Sequence, residues 1–158
     1  MFNFGFVPQS IAAQRLHTEL KKLSQFPLQG CQAFPSSENI FQWTAVIDGP
    51  KDTAYEKGTF FVQLNFCTNY PFVAPDVLFL TRIYHCNISN QGKVRLQVTS
   101  RRGWKPSFGV STVLQSIILL LYACDPHNSL VPSIGEQYLQ QPEEFSRIAR
   151  TWTERFAQ

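Results

Sequence analysis

The chain has 158 residues, 44% of them hydrophobic and 14% aromatic, which is enough for one domain to bury a core without disulfides or a metal. Only 16% are charged, and 14 Lys plus Arg against 11 Asp plus Glu leave +3, too little for a dedicated nucleic-acid binder or an acidic solvating tail. The longest nearly apolar run, Ile117 to Cys124, falls far short of the ~20 residues of a membrane span, and the Phe-rich start lacks a basic n-region, so a soluble cytoplasmic or nuclear protein is expected.

Residues 1–9 are expected to form a short flexible N-terminus ahead of one domain over residues 10–158. From Ser10 the pattern is helical: Ala12, Leu16, Leu20 and Leu23 recur at helical spacing, while Arg15, Thr18, Glu19 and Lys22 mostly face elsewhere, and Pro27 ends the helix. Cys31 to Phe34 suits a first edge strand. Ile40 to Ile47 is an aromatic and β-branched run closed by Asp48-Gly49-Pro50. Phe60, Val62, Leu64 and Phe66 alternate with Phe61, Gln63 and Asn65, the period of a strand with one buried face, and Val77 to Leu80 is a shorter strand. These strands follow one another without intervening helices, which favours an antiparallel meander.

Ser111 is the expected cap of a helix whose apolar residues, Val113, Leu114, Ile117, Ile118, Leu120 and Leu121, are too many for one surface stripe, so it should be the most buried. Ser133-Ile134-Gly135-Glu136 reads as a capping box opening a short helix. Pro142, Glu143 and Glu144 suit a first helical turn, after which Phe145, Ile148, Ala149, Trp152 and Phe156 follow helical spacing. The expected class is α+β, with the sheet covered mainly on one face.

The polar, basic segment from Tyr84 to Ser107 lacks regular periodicity, and such a loop in a small domain is usually functional. It holds His85-Cys86-Asn87, which superficially offers a base, a nucleophile and an oxyanion donor, although consecutive side chains in extended backbone point apart and bracing of the loop is the alternative. Cys31, Cys67, Cys86 and Cys124 contain no C-x-x-C pair, so reduced thiols are expected. Cys124 and His127, three apart, form only half of a metal set, and Asp48 and Asp52 flank a turn in which Asp ordinarily bonds nearby backbone. Lys93, Arg95, Arg101, Arg102 and Lys105 lie within thirteen residues that contain no acid, either a solvated loop or a contact for an acidic partner. Nucleic acid fits less well, because Trp104 is the one aromatic in that run.

Trp43 through Pro50, Tyr55-Glu56-Lys57-Gly58, Tyr70-Pro71-Phe72 with Pro75, and Thr81-Arg82-Ile83-Tyr84-His85-Cys86-Asn87 together resemble the ubiquitin-conjugating enzymes. Trp104-Lys105-Pro106-Ser107, the Val113-Leu114 helix and Ile148-Ala149-Arg150-Thr151-Trp152-Thr153 extend the resemblance over about Ile11 to Ala157. It implies the UBC fold: an N-terminal helix, a four-stranded antiparallel meander, a long active-site loop and three C-terminal helices. No cofactor or metal is implied. The Tyr84–Asn87 wording is similar to a subgroup of active conjugating enzymes, in which the counterpart of Cys86 coexists with the nucleophile, and to a catalytically silent plant variant.

Members of that family carry ubiquitin as a thioester on a cysteine that follows a Gly and two further residues and precedes a Leu. In Gly92-Lys93-Val94-Arg95-Leu96-Gln97 the resemblance puts Arg95 at that position, and Gln97 where an acid commonly stands. A guanidinium, protonated up to a pKa above ~12, cannot form the acyl-thioester. The resemblance leaves His85, Asn87 and Asn128 as remnants of the catalytic surroundings; Asn128 replaces an acidic or His residue that often helps the incoming lysine or thiol, and Asn is a poor proton acceptor. Arg15, Phe72 and Lys105-Pro106-Ser107 match the surface that meets ubiquitin ligases, with core packing the other reading for Phe72 and a loop stop for Pro106. Gln115 stands where a Leu often contacts the donor ubiquitin. The implied protein is an inactive variant that binds a ubiquitin ligase, an active conjugating enzyme, ubiquitin or an adaptor. The alternatives are an unusual enzyme using Cys86 and a basic-loop contact with nucleic acid or another acidic surface.

Overall fold

The computed structural model describes residues 10–158; the segment 1–9, expected to be flexible, lies outside the described residues. Helix α1, Ile11–Gln25, starts where Ser10 Oγ accepts the Ala13 N–H at 3.2 Å and ends just short of Pro27, whose ring cannot continue it. Ala12, Leu16 and Leu23 form its buried stripe.

The sheet follows in four strands, β1 Cys31–Pro35, β2 Gln42–Asp48, β3 Thr59–Asn65 and β4 Asp76–Phe79, in the spatial order of the chain. Every neighbouring pair is antiparallel, as the missing crossovers require. The register places Trp43 opposite Leu64, Ala45 opposite Val62 and Ile47 opposite Phe60, six side chains fully withdrawn from solvent. Trp43 can sit there because its indole N–H donates to the Ile40 carbonyl at 2.7 Å. Each large side chain buried this way contributes roughly 1.5–3 kcal/mol of transfer free energy. The alternate positions Phe34 and Phe61 are exposed, so one face of the sheet lies on the core and the other stays open.

Three helices complete the chain: α2 Val110–Tyr122, α3 Pro132–Gln140 and α4 Pro142–Phe156, with a single 3-10 turn at Pro126–Asn128 between α2 and α3. Ser111 does not cap α2. The N-cap is Gly109, and the Val110 N–H is taken at 2.9 Å by Oε1 of Glu19, a carboxylate reaching across from α1. A Cβ at 109 would lie 1.8 Å from that oxygen, so any larger residue there must displace the carboxylate. Glu19, expected on the outward face of α1, is therefore only 8% exposed. Helix α2 is the most buried helix, as expected, with five of its 13 residues buried against five of 15 in α1, although Leu119 and Tyr122 on it are 66% and 59% exposed, uncovered among the described residues.

The capping box expected at Ser133 is likewise absent. Helix α3 begins two residues earlier than that box implies, because Pro132 supplies a preset first helical position without an N–H to satisfy, and no side chain caps it. Helix α4 conforms, with Glu143 and Glu144 in its first turn and Phe145, Ala149 and Thr153 buried. Its end is fastened to the sheet where the Thr59 N–H donates to the Ala157 carbonyl at 2.8 Å. Among the described residues no helix is long and apolar enough to cross a membrane.

Candidate functional site

The chain between β4 and α2 is tied down, although it forms no helix or extended strand. His85, Cys86 and Asn87 are all buried within it. His85 Nε2 lies 2.7 Å from the Leu120 carbonyl, which can only accept, so that nitrogen carries the proton; Nδ1 accepts the Asn87 N–H at 3.0 Å. Burial pushes the ring's pKa down to about 4, partly offset by the bond to Leu120. Its face stacks on Tyr55, ring centroids 5.8 Å apart, and the Tyr55 hydroxyl donates to the Tyr84 carbonyl at 2.7 Å. This His85 is a neutral spacer with both nitrogens engaged and no free lone pair for a base.

Asn87 is engaged as fully. Its Nδ2 donates to the carbonyls of Asp125 at 2.8 Å and Asn128 at 3.1 Å, and its Oδ1 accepts the Asp125 N–H at 2.9 Å. Both amide protons are spent holding the loop against the 3-10 turn, leaving none for an oxyanion. The backbone of Asn87 holds Arg95, whose main-chain N–H donates to the Asn87 main-chain carbonyl at 3.0 Å. Gly92 lets the loop return at φ +85°, three residues earlier.

Cys86 has no exposed surface, and its carbonyl accepts the N–H groups of Leu130 and Val131 at 2.8 and 3.0 Å. Its sulfur lies near that of Cys124; hydrogen bonding by Cys124 lowers the Cys86 thiol and raises the Cys124 thiol. A lowered pKa suits a nucleophile, but burial denies it a substrate, and packing is its evident role. Cys124 and His127, only half of a metal set by sequence, do not share a helix face: Cys124 lies beyond the end of α2, and His127 sits in the 3-10 turn. Cys124 instead joins His85 and Cys86, their ligand atoms all within 4.8 Å of one another. Binding a metal through His85 would break one of its two ring hydrogen bonds, so these residues fit a packed cluster better than a metal centre. Asp48 and Asp52 are both exposed, and Asp52 adopts a left-handed φ of 64°, in keeping with a turn residue.

Arg95 is exposed and lines an open groove of about 640 Å³ with Gln97, Ser100, Arg102, Asp125, His127 and Asn128. One guanidinium nitrogen donates to the Ser129 carbonyl at 3.4 Å. Lys93, Arg101 and Lys105 are also exposed, but Lys93, Arg101 and Lys105 do not line this groove.

A second surface is assembled across the loops. Phe72 is 74% exposed, which overturns core packing for it, and Lys105, Pro106 and Ser107 are exposed as well. Trp104 Nε1 donates to the Pro71 carbonyl at 2.7 Å, joining the two loops, and Arg15 donates to the carbonyls of Pro106 and Phe108 at 3.1 and 2.9 Å. Arg15 is thus a strut as much as an outward charge. Beneath lies an unforeseen network: the Tyr70 hydroxyl donates to Glu19 Oε2 at 2.5 Å, while the other oxygen caps α2. Burial and the bond to Glu19 raise the Tyr70 phenol far above its ordinary range. The signals for this network were Glu19 lying three residues after Leu16, beside the apolar stripe, and a glycine directly before α2. Gln115 is exposed on α2, one turn before Leu119.

A helix, a four-stranded meander, a buried His-Cys-Asn loop and three helices are the arrangement expected of the resemblance. The family model for the ubiquitin-conjugating enzymes matches residues 15–153, from the middle of α1 to the last turns of α4. The chain therefore belongs to the ubiquitin-conjugating enzyme family, and with it to the ubiquitin pathway.

Proposed function

We propose that this protein is a ubiquitin-conjugating enzyme variant without thioester activity of its own, acting as a binding module in the ubiquitin pathway. The observation that carries the reading is Arg95: a permanent cation sits in the groove where the family pattern calls for a sulfur nucleophile. Two features weigh in the same direction. Asn87 has no proton left to stabilise an oxyanion, and Cys86 is sealed from solvent, which counts against the alternative of a substitute nucleophile.

The recognition surface remains available. Phe72 projects beside Lys105, Pro106 and Ser107, a shape suited to a ubiquitin ligase, and the exposed Gln115–Leu119 side of α2 suits ubiquitin or an active conjugating enzyme. Incubation with activating enzyme, ATP and ubiquitin, followed by a non-reducing gel, tests the reading. The natural chain should give no reductant-sensitive adduct, and Arg95→Cys tells whether the rest of the site is intact: an adduct on that variant would show that one substitution causes the silence. An adduct on the natural chain would refute the proposal. Pull-down of ligases, with Phe72→Ala as the control, would name the partner.

A further inference from the structure

Consecutive residues of the buried loop meet the chain that leaves α2. His85 Nε2 lies 3.6 Å from Cys124 Sγ, and the Asn87 side chain bonds both the N–H and the carbonyl of Asp125, the residue after Cys124. Between these two fastenings stands Cys86, whose own carbonyl accepts the N–H groups of Leu130 and Val131. The backbones on both sides are thus pinned, and the sulfurs of Cys86 and Cys124 come within 4.8 Å of each other. A disulfide sets its sulfurs about 2.05 Å apart, a gap that two short side chains close by turning about their Cα–Cβ bonds.

The two thiols are not equivalent. Cys86 has no exposed surface, while Cys124 is partly exposed and borders a cavity of about 240 Å³ between α3, α4 and the Asp52–Tyr55 turn. The hydrogen bond between them lowers the Cys86 thiol and raises the Cys124 thiol. The inner sulfur is therefore the readier nucleophile, and the outer one is where a small solute arrives. Neither thiol has a part in the binding-module reading.

We propose that Cys86 and Cys124, both free in this structure, are an oxidisable pair that hydrogen peroxide converts into a disulfide, locking the His85–Asn87 loop to the end of α2. Peroxide meets Cys124 first. Its sulfur attacks one peroxide oxygen, the O–O bond breaks, and the departing hydroxide takes the thiol proton as water, leaving a sulfenic acid. Cys86 then attacks the Cys124 sulfur, the S–S bond forms as the S–O bond breaks, and the second hydroxide leaves with the Cys86 proton as water. The two thiols lose two electrons in all, and the O–O bond receives them. Such a lock goes beyond the binding-module reading and stands without it, since a ubiquitin adduct on the natural chain would refute that reading and leave the pair unchanged.

The test treats the folded natural chain with millimolar hydrogen peroxide, blocks the remaining thiols with iodoacetamide in denaturant, and maps tryptic peptides by mass spectrometry. The expected product joins peptide 83–93 to peptide 103–147, at the sum of their masses less two hydrogens, and dithiothreitol separates them. The exposed Cys67 should oxidise faster, so Cys67→Ser is run alongside and should give the same link. The linked protein should melt about 5–10 °C above the reduced one, because closing the chain from 86 to 124 removes freedom from the unfolded state. Cys124→Ala, at a partly exposed position, should leave Cys86 unoxidised, since the outer sulfur is the point of entry. No link, a sulfinic or sulfonic acid at Cys124 in its place, links made chiefly to Cys31 or Cys67, oxidation of Cys86 in the Cys124→Ala protein, or no gain in melting temperature would each overturn the proposal.

Discussion

Protonating His85 should loosen the protein from inside its functional loop. The ring is fully buried, Nε2–H is committed to the Leu120 carbonyl, and the only site for a second proton, Nδ1, faces the Asn87 N–H. Burial lowers its pKa from the ordinary 6.5 to about 4. A folded-state value below the unfolded one means that the unfolded chain binds the proton more readily. The stability tied to the neutral ring is therefore complete above pH 6.5 and lost as pH falls through 4. At about 1.4 kcal/mol per pH unit the whole effect is about 3 kcal/mol, and about 2 kcal/mol of it is gone by pH 5. Urea unfolding at pH 7.5, 6 and 5, run in parallel on the natural protein and His85→Gln, measures it. The difference between the two cancels the carboxylates and the exposed His17 and His127. The variant should start less stable and lose less on acidification. Parallel pH dependence of the two proteins, or an NMR titration of the His85 ring near 6.5, would refute the reasoning.

Glu19→Ala strands the Tyr70 hydroxyl and the Val110 N–H without their acceptor, and denaturant titration should record a loss of about 3 kcal/mol, smaller for Glu19→Gln. Gly109→Ala drives a methyl against the same carboxylate; its cost should be about 2 kcal/mol and should largely vanish in a Glu19→Ala background, a coupling that a double-mutant cycle reads directly. Phe72→Ala should leave stability within about 0.5 kcal/mol while removing ligase capture, since the ring projects into solvent. Alkylation of the native protein with iodoacetamide should label Cys67 first, whereas Cys86 and Cys31, the latter buried and pushed up to about 11, should react only on unfolding; mass spectrometry gives the order.

The elements that sequence reading located are those whose residues answer to a local period. Alternation around Phe60–Phe66 and the stripe in α4 gave strand and helix because each pattern has one physical solution. Ends were harder. Ser111 and Ser133 carry the right side chain for a cap, yet Gly109 with a carboxylate from α1 and Pro132 take those roles, and neither an acceptor 91 residues away nor a competing proline is weighed by a four-residue motif. Glu19 was misplaced for the same reason, as its partners Tyr70 and Val110 are adjacent only after folding. In the site, Arg95 was singled out by the resemblance of the Gly92–Gln97 frame to the family pattern, which six consecutive residues carry. The saturation of Asn87 and the sealing of Cys86 depend on the chain around Asp125–Val131 closing over them, which spacing along the sequence does not encode.

One carboxylate governs more than its own turn of helix. Glu19 holds the Tyr70 segment on one oxygen and the start of α2 on the other, while Arg15, a turn earlier, grips the carbonyls of Pro106 and Phe108. The interior and the outward rim that displays Phe72 are thus mechanically coupled. Among descendants of this chain, positions 15, 19, 70 and 109 should drift as a set, so a substitution beneath the surface can reshape the rim around Phe72 without altering any residue on it.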